Sequence, residues 1–229
     1  ICHGNPHDES RIPQEQACYA LLDSLDIPYD RIDHESAFTM EACAEIDSVF
    51  GTKMCKNLFL RNSNGSAFYL LLMPGDKPFK TKELSAQIMS TRLSFADENH
   101  MREYLDLTPG SVTVMGLAND RENRVQLLID QDVYEQEYFC CHPCINSSTL
   151  KIKISDIMEK LLPAIHDVES LLERSRILLS GLQILDVPVV LTEQYAKGLG
   201  PTVKEIRDCL GENYKPYDKI TFSVMGADA

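Results

Sequence analysis

Lys53-Met-Cys-Lys-Asn-Leu-Phe-Leu60 is followed, across Asn64-Gly65, by Ala67-Phe-Tyr-Leu-Leu-Leu-Met73. Two strand-like apolar runs around an Asn-Gly dipeptide are the strongest short-range signal for a β-hairpin, because Asn and Gly tolerate the positive φ of a tight turn. The first run, Leu58 to Leu60, is headed by Lys56 and Asn57, a cation and an amide at the start of a rigid element. Taken alone, Lys56 reads as a solvated lysine at a strand end, as most lysines are. The rest of the chain changes that reading.

Upstream, residues 1–13 carry Gly, Pro, His and charges without periodicity and are expected as a flexible tail. From Gln14, the residues Cys18, Leu21, Leu22 and Leu25 fall at helical spacing, and Ile27-Pro28 stops that helix. Tyr29 to Ile32 reads as a short strand and His34 to Phe38 as a loop. Thr39 is placed as the N-cap of a helix through Ile46, with Glu41 in its first turn. Downstream, Pro74-Gly-Asp-Lys-Pro78 is a loop by its breakers. Helices are expected over Lys82 to Met89 and Asp97 to Leu105. Strands are expected at Val112 to Met115, Val125 to Ile129, up to Phe139, and from Thr149 to Ile154. This irregular mixture with a hairpin predicts an α+β fold on a mixed or antiparallel sheet. After about residue 166 the grammar changes. An amphipathic helix over Leu171 to Leu185 feeds a continuously apolar strand, Val187-Pro-Val-Val-Leu191, and a further helix opens near Pro201-Thr202. That is parallel α/β grammar, and one such unit cannot bury both faces of its strand.

Composition narrows the function. The 229 residues include 35 Asp and Glu against 22 Lys and Arg, a formal net charge of −13. Broad, nonspecific nucleic-acid binding is thereby disfavoured, since phosphate affinity comes from Lys and Arg, but a few local cations can still hold one end of a nucleic acid. No apolar run approaches the roughly 18 residues that span a bilayer. No basic-then-apolar signal segment opens the sequence, so no membrane and a cytoplasmic setting are expected; the missing initiator Met is what a fragment would show. Of 8 cysteines, only Cys140, Cys141 and Cys144 cluster, around His142, with no second ligand pair of the kind a zinc site needs. No metal and no cofactor is expected.

Several segments in order now carry a pattern: Leu25-Asp-Ile-Pro-Tyr-Asp-Arg-Ile-Asp-His34, Ala37-Phe-Thr-Met-Glu41, Lys56-Asn-Leu-Phe-Leu60, Pro109-Gly-Ser-Val112 with Gly116-Leu-Ala-Asn-Asp120, and Cys141-His-Pro-Cys-Ile-Asn146 with Thr149-Leu. Together they resemble the YbaK / prolyl-tRNA-synthetase-associated family of aminoacyl-tRNA editing domains, and its freestanding Ala-tRNA deacylase branch most of all. The resemblance implies a mixed-sheet, barrel-like editing domain flanked by helices over residues 14–166. It places the family's invariant lysine on Lys56, its neighbouring asparagine on Asn57, a pocket glycine on Gly116 and a pocket-shaping histidine on His142. His34 joins these as a substrate-side candidate, with a structural role as its plainer alternative. His142 has the same alternative, and Cys141 and Cys144 read as small hydrophobes. Where relatives carry Ser-Pro-Phe before the Gly-Leu, this chain has Thr113-Val114-Met115, which bears on amino-acid selectivity.

The chemistry fits. Hydrolysing an aminoacyl ester needs a positioned water and a stabilised oxyanion. A Lys-Asn pair can hold the ester carbonyl or the terminal phosphate in register. There is no G-x-S-x-G nucleophile elbow, and a family mechanism in which the free ribose hydroxyl helps activate water needs none. The function implied is trans-editing deacylation of mischarged tRNA, with Ala-tRNA for proline as substrate. The tRNA acceptor end is the partner, and prolyl-tRNA synthetase or an elongation factor are candidate protein partners. A noncatalytic tRNA-binding module is the first alternative.

Residues from about 156 to 229 resemble something else, the opening part of an isochorismatase-like cysteine hydrolase, through Glu159-Lys-Leu-Leu-Pro163, Val187-Pro-Val-Val-Leu-Thr-Glu-Gln-Tyr195, Gly198-Leu-Gly-Pro-Thr202 and Lys219-Ile-Thr-Phe-Ser223. That family uses an Asp, a Lys and a Cys. Asp156 and Lys219 match the first two as vestigial positions, whereas Cys209 precedes Lys219 and is not assigned the nucleophile's role. The segment proper is placed at 167–229, because the strand before Asp156 alternates and belongs to the editing domain. It is expected as an incomplete α/β unit without hydrolase activity of its own. An isochorismatase-like cysteine hydrolase is therefore the second alternative function, disfavoured because no cysteine follows Lys219.

Overall fold

The architecture follows from one strand that is buried along its whole length. In the computed structural model, residues 1–35, 46–52, 54–194, 196 and 200–219 are described. The chain divides into two units, Ile1–His166 and Asp167–Ala229. The first runs β1 (Cys2–His3), α1 (Pro13–Ser24), β2 (Tyr29–Asp33), β3 (Cys55–Arg61), β4 (Phe68–Pro74), α2 (Thr81–Gln87), β5 (Ser94–Phe95), β6 (Val125–Ile129), β7 (Tyr138–Cys141) and β8 (Ser148–Lys153). One sheet is antiparallel throughout in the order β1-β2-β8-β7, and the other is mixed in the order β5-β3-β4-β6. In the mixed sheet β4 pairs antiparallel with β3 and parallel with β6. Among the described residues the two sheets stay separate and do not hydrogen-bond into a closed barrel. The fold is thus α+β with mixed sheets.

Alternation along β3 and β4 builds two cores. Phe59, Phe68, Leu70 and Leu72 face the main core with Phe139, Leu150 and Ile152 of the other sheet and Cys18, Tyr19 and Leu22 of α1. Leu60, Tyr69, Leu71 and Met73 face the opposite way, where Leu84 and Ile88 at α2 cover them. With both faces covered, every residue of β4 is buried, which is why its sequence is a continuous apolar run rather than an alternating one. The hairpin loop is longer than Asn-Gly alone would make it. The Asn62 N–H donates to the Ala67 carbonyl at 3.1 Å, and Asn62 Oδ1 accepts from the Ser66 N–H at 2.9 Å. Gly65 supplies the positive φ, +69°.

Two expected strands are corrected. Val112 to Met115 is not a strand: Val114–Asn119 is a 3₁₀-helix capped by Thr113. Its cause is tertiary, since a Cβ on Gly116 would lie 2.6 Å from Leu107 Cδ1, so the coil is pressed onto the core at a glycine. In the second unit, α3 (Val168–Ile184) is followed not by a strand at Val187 to Leu191 but by β9 (Thr192–Gln194). After α4 (Lys204–Leu210) comes β10 (Tyr217–Lys219), parallel to β9. Val187, Val189 and Val190 are 42%, 38% and 70% exposed, because among the described residues no sheet neighbour pairs with them and nothing covers both faces. Glu193 orders this unit, accepting from the Thr202 N–H at 2.8 Å, its hydroxyl at 2.7 Å and the Tyr214 hydroxyl. The Thr39 cap, Glu41 and the start of their helix lie outside the described residues; a helical segment over 46–50 is described.

Candidate active site

β5 pairs with β3 only at Leu60 and Arg61, so among the described residues the front half of β3 has no strand paired on that edge. A cavity of about 650 Å³ opens along that edge. Lys56, Asn57 and Leu58 of β3 line it, with Gly75 and Asp76 after β4. Phe95, Met101, the Pro109–Gly110–Val112 loop and His142 complete the wall. Three sequence candidates therefore meet: Lys56, Asn57 and His142. They do not act as a fork on one face. Lys56 stands opposite Met73 and Asn57 opposite Leu72, so the two side chains leave opposite faces of the strand and reach one cavity only because it wraps the edge.

Each of the three presents an unspent group. Among the described residues Lys56, partly exposed, has no hydrogen-bond or ion-pair partner. Asn57 Oδ1 is buried without a partner. The ring of His142 is 9% exposed, and its Nδ1 lies 2.9 Å from the Ser148 carbonyl. A carbonyl only accepts, so Nδ1 carries the proton and Nε2 keeps a lone pair. Burial lowers the His142 pKa from its ordinary value, outweighing the Ser148 bond, and His34 adds to the lowering. The imidazole at the cavity is neutral.

His142 is held from behind. Ser148 donates its hydroxyl to Asp33, which also receives Arg31 Nη1 at 2.7 Å and Arg11 Nη2 at 2.8 Å. Arg11 further pairs with Glu15 at 2.5 Å, and Tyr19 donates to the same carboxylate at 2.6 Å. The segment before α1 is thus tied to β2 through Arg11, and again where β1 pairs with β2. His34 does not line the cavity. Its Nδ1 donates to the Glu35 carbonyl at 2.7 Å, its Nε2 accepts from Thr149 Oγ1 at 2.9 Å, and its ring centroid is 6.4 Å from that of His142. Its work is to pin β2 to β8.

Gly116 is buried on Leu105 and Leu107 and does not reach the cavity. The glycines on the wall are Gly75 and Gly110, both unassigned from sequence. A Cβ on Gly75 would lie 2.7 Å from the Met54 carbonyl oxygen, and Gly110 has φ +87°. Both follow a proline, and the Pro-Gly dipeptide was the available signal. Phe95, 60% exposed at the mouth, had none.

The cysteines do not form a centre. Strand alternation sends Cys140 toward Ile46, Phe50 and Met54, and Cys141 into the main core with Cys144. Burial pushes Cys55 and Cys140 each up to about 12, and Cys141 well above its ordinary value, so none is a thiolate at neutral pH. Among the described residues no group of three His, Cys, Asp or Glu could hold a metal ion. Asp156, in the first unit, pairs with Lys160 at 2.9 Å; Lys219 ends β10 in the second. Among the described residues no helix is long and apolar enough to cross a membrane.

Comparison with known proteins places the first unit. Residues 34–160 match the family model described as the aminoacyl-tRNA editing domain. Over 150 residues the chain is 36% identical to the prolyl-tRNA editing protein ProX of Acetoanaerobium sticklandii, covering 66% of this chain and 91% of that protein. A solved structure described as a candidate trans-editing enzyme for prolyl tRNA synthetase superposes with a TM-score of 0.51, covering 65% of this chain and 92% of the other. At 13% identity that likeness shows the fold alone. A stretch of 72 residues is 42% identical to isochorismatase domain-containing protein 2 of Danio rerio, covering 31% of this chain and 35% of that protein.

Proposed function

This chain belongs to the aminoacyl-tRNA editing domain family, and we propose from that premise that it is a freestanding deacylase that hydrolyses mischarged tRNA, with Ala-tRNA for proline as its substrate. The observation that carries the reading is the meeting of Lys56, Asn57 and His142, each with an unspent polar group, in one cavity of about 650 Å³. That volume suits a small-molecule end such as an aminoacylated adenosine. The free ammonium of Lys56 holds a phosphate or the ester carbonyl, and it is not a nucleophile. The neutral His142 accepts a hydrogen bond from water or a ribose hydroxyl through Nε2. With Cys55 protonated, attack falls to water, oriented beside the free ribose hydroxyl.

Selectivity for a small amino acid is read as steric. Val114 and Met115, where relatives carry Pro-Phe, are 0% and 2% exposed in the core, so the departure stiffens or loosens the wall from behind rather than changing its surface. The partner is the tRNA acceptor end, gripped locally, with prolyl-tRNA synthetase or an elongation factor delivering it in the cytoplasm. The first unit is read as the family's barrel-like domain and residues 167–229 as an isochorismatase-like segment that takes no part in the chemistry. In that segment Cys209 Sγ lies 3.6 Å from Ser180 Oγ and 3.7 Å from the Arg176 carbonyl, and among the described residues no base is hydrogen-bonded to it.

The test is deacylation of Ala-tRNA for proline by the wild type and by Lys56→Ala. The substitution is expected to cost about 10²–10³ in rate, the scale of one lost electrostatic contact to the reacting group. Equal rates remove Lys56 from the mechanism. No activity on Ala-, Cys- or Ser-charged tRNA removes the enzyme reading.

A further inference from the structure

Asn57 has more unspent hydrogen-bonding capacity than its side chain. In an antiparallel strand the N–H and C=O of one residue point to the same side, and successive residues alternate sides. Two bonds fix the phase in β3. The Asn62 N–H donates to the Ala67 carbonyl, in register with the β3–β4 pairing, so even-numbered residues of this strand turn their backbone toward β4. The Phe59 carbonyl accepts from the Ala96 N–H at 2.9 Å, so odd-numbered residues turn theirs toward β5. Asn57 is odd-numbered and lies beyond the end of β5, which pairs only with Leu60 and Arg61. Its N–H and C=O therefore face the open edge, where the cavity is, and among the described residues neither has a partner. The buried, unpartnered Oδ1 belongs to the same residue. Two main-chain groups without a protein partner at a cavity wall, beside a buried side-chain oxygen without one, offer a ligand three hydrogen-bonding positions on one residue.

We propose that the main chain of Asn57 is the substrate clamp, its N–H receiving the ester carbonyl oxygen and its C=O and Oδ1 together accepting the α-ammonium of the aminoacyl group. This rests on the deacylase reading above and adds to it the group that meets the oxyanion. As the water oxygen bonds to the ester carbon, the carbonyl π pair moves onto the oxygen facing the Asn57 N–H. Collapse then breaks the bond to the ribose oxygen, which leaves with the proton given up by water. A backbone donor on a strand is fixed by the ladder behind it and needs no reorganisation as charge develops. Two acceptors aimed at an ammonium explain why an amide stands beside the lysine: Lys56 serves negative charge, and Asn57 serves positive charge on the same substrate.

The edge geometry allows a clean separation. Asn57→Ala removes Oδ1 and keeps the N–H, whereas Asn57→Pro also removes the N–H without touching a ladder bond, since that N–H points away from β4. Expected is a further fall of about 10²–10³ in kcat from Asn57→Ala to Asn57→Pro, with KM changed little. Equal kcat values for two folded variants overturn the clamp while leaving the deacylase reading intact. Should the proline variant fail to fold, the wild type decides by amide NMR with 3′-alanylamino-3′-deoxyadenosine, a non-hydrolysable analogue. A downfield shift at the Asn57 N–H, larger than at its even-numbered neighbours, supports the clamp. Saturating analogue that leaves this amide unmoved, or no binding at all, overturns it. A wild type without turnover whose Asn57 amide still shifts sinks the enzyme reading and keeps the clamp.

Discussion

The role proposed for His142 can be tested by pH. Burial lowers the His142 pKa below its ordinary 6.5, so the ring stays neutral where an ordinary histidine is half protonated. A reaction that uses its Nε2 lone pair is expected to hold its rate through pH 6.5 and to fall only at lower pH. The pH profile of kcat/KM checks this, and a fall centred at or above 6.5 would mean that another group is titrating. The glycines make a second contrast. At Gly75 an added Cβ meets the Met54 backbone oxygen at 2.7 Å, which no rotamer can relieve, so Gly75→Ala must shift the cavity wall. At Gly116 the nearest atom is Leu107 Cδ1, the end of a flexible side chain in a tight core. Gly75→Ala is expected to lower deacylation more than tenfold, whereas Gly116→Ala costs about 1–3 kcal/mol of stability with activity largely kept. Denaturation and turnover measured on both variants give the comparison, and the reverse ordering would refute it. Neither difference is visible from residue type: both are glycines followed by an ordinary loop or coil, and only the neighbour brought in by the fold distinguishes them.

At the scale of elements, β2 and β8 hold the His142 segment through Asp33. Burial works against ionising Asp33, yet the Arg11 guanidinium, then the Ser148 hydroxyl and the Arg31 charge, overcome it and hold the carboxyl below its usual range. A depressed carboxyl contributes stability that is fully present above its unfolded value, near 3.9, and lost as pH falls through the lower folded value. Asp33 is 41% exposed in its side chain, so solvent screening reduces the gain, and Asp33→Asn is expected to cost about 1–2 kcal/mol at pH 7. Urea denaturation should show that difference at pH 7 and see it shrink in acid; a pH-independent difference would point to lost shape rather than lost charge. Some elements could be read beforehand and others could not, for identifiable reasons. Phe68 to Met73 is a run too long and too apolar for a loop, and β3 and β4 follow from it. Thr149 to Ile154 alternates because Leu150 and Ile152 enter the core while Lys151 and Lys153 on the other face do not. Val112 to Met115 alternates too, but there the pattern comes from a coil pressed against Leu107, and short alternation does not tell the two apart. The site was legible in its parts, Lys56, Asn57 and His142, only through family resemblance, because residues 56 and 142 meet across two sheets that no spacing encodes. The edge of β3 left unpaired among the described residues depends on how short β5 is, and two residues of strand leave almost no trace in a sequence.

Over the whole molecule, the two units differ in what they bury. The first has a core between its sheets and a second beneath α2. In the second unit, Leu210 is the one buried hydrophobic side chain among the described residues, while Leu171, Leu178, Ile184 and Leu185 are 61%, 62%, 84% and 72% exposed. Each such side chain forgoes the roughly 1.5–3 kcal/mol that full burial gives. Hydrogen bonds then carry much of this unit: Gln183 Nε2 of α3 donates to the Cys209 carbonyl of α4 at 3.2 Å, and Glu193 of β9 accepts from Tyr214 and Thr202, which keep its carboxyl below its usual range. A unit so held opens at low free-energy cost, and the regions that open easily are those proteases cut first. Limited proteolysis is expected to remove residues beyond about 166 while leaving a resistant fragment that contains both sheets. Because every residue of the cavity wall lies before His166, a chain ending there is expected to deacylate within about twofold of the full chain. Matched kcat/KM measurements on the two chains decide the point. A shortened chain that folds but loses turnover would show that the second unit contributes to the chemistry after all.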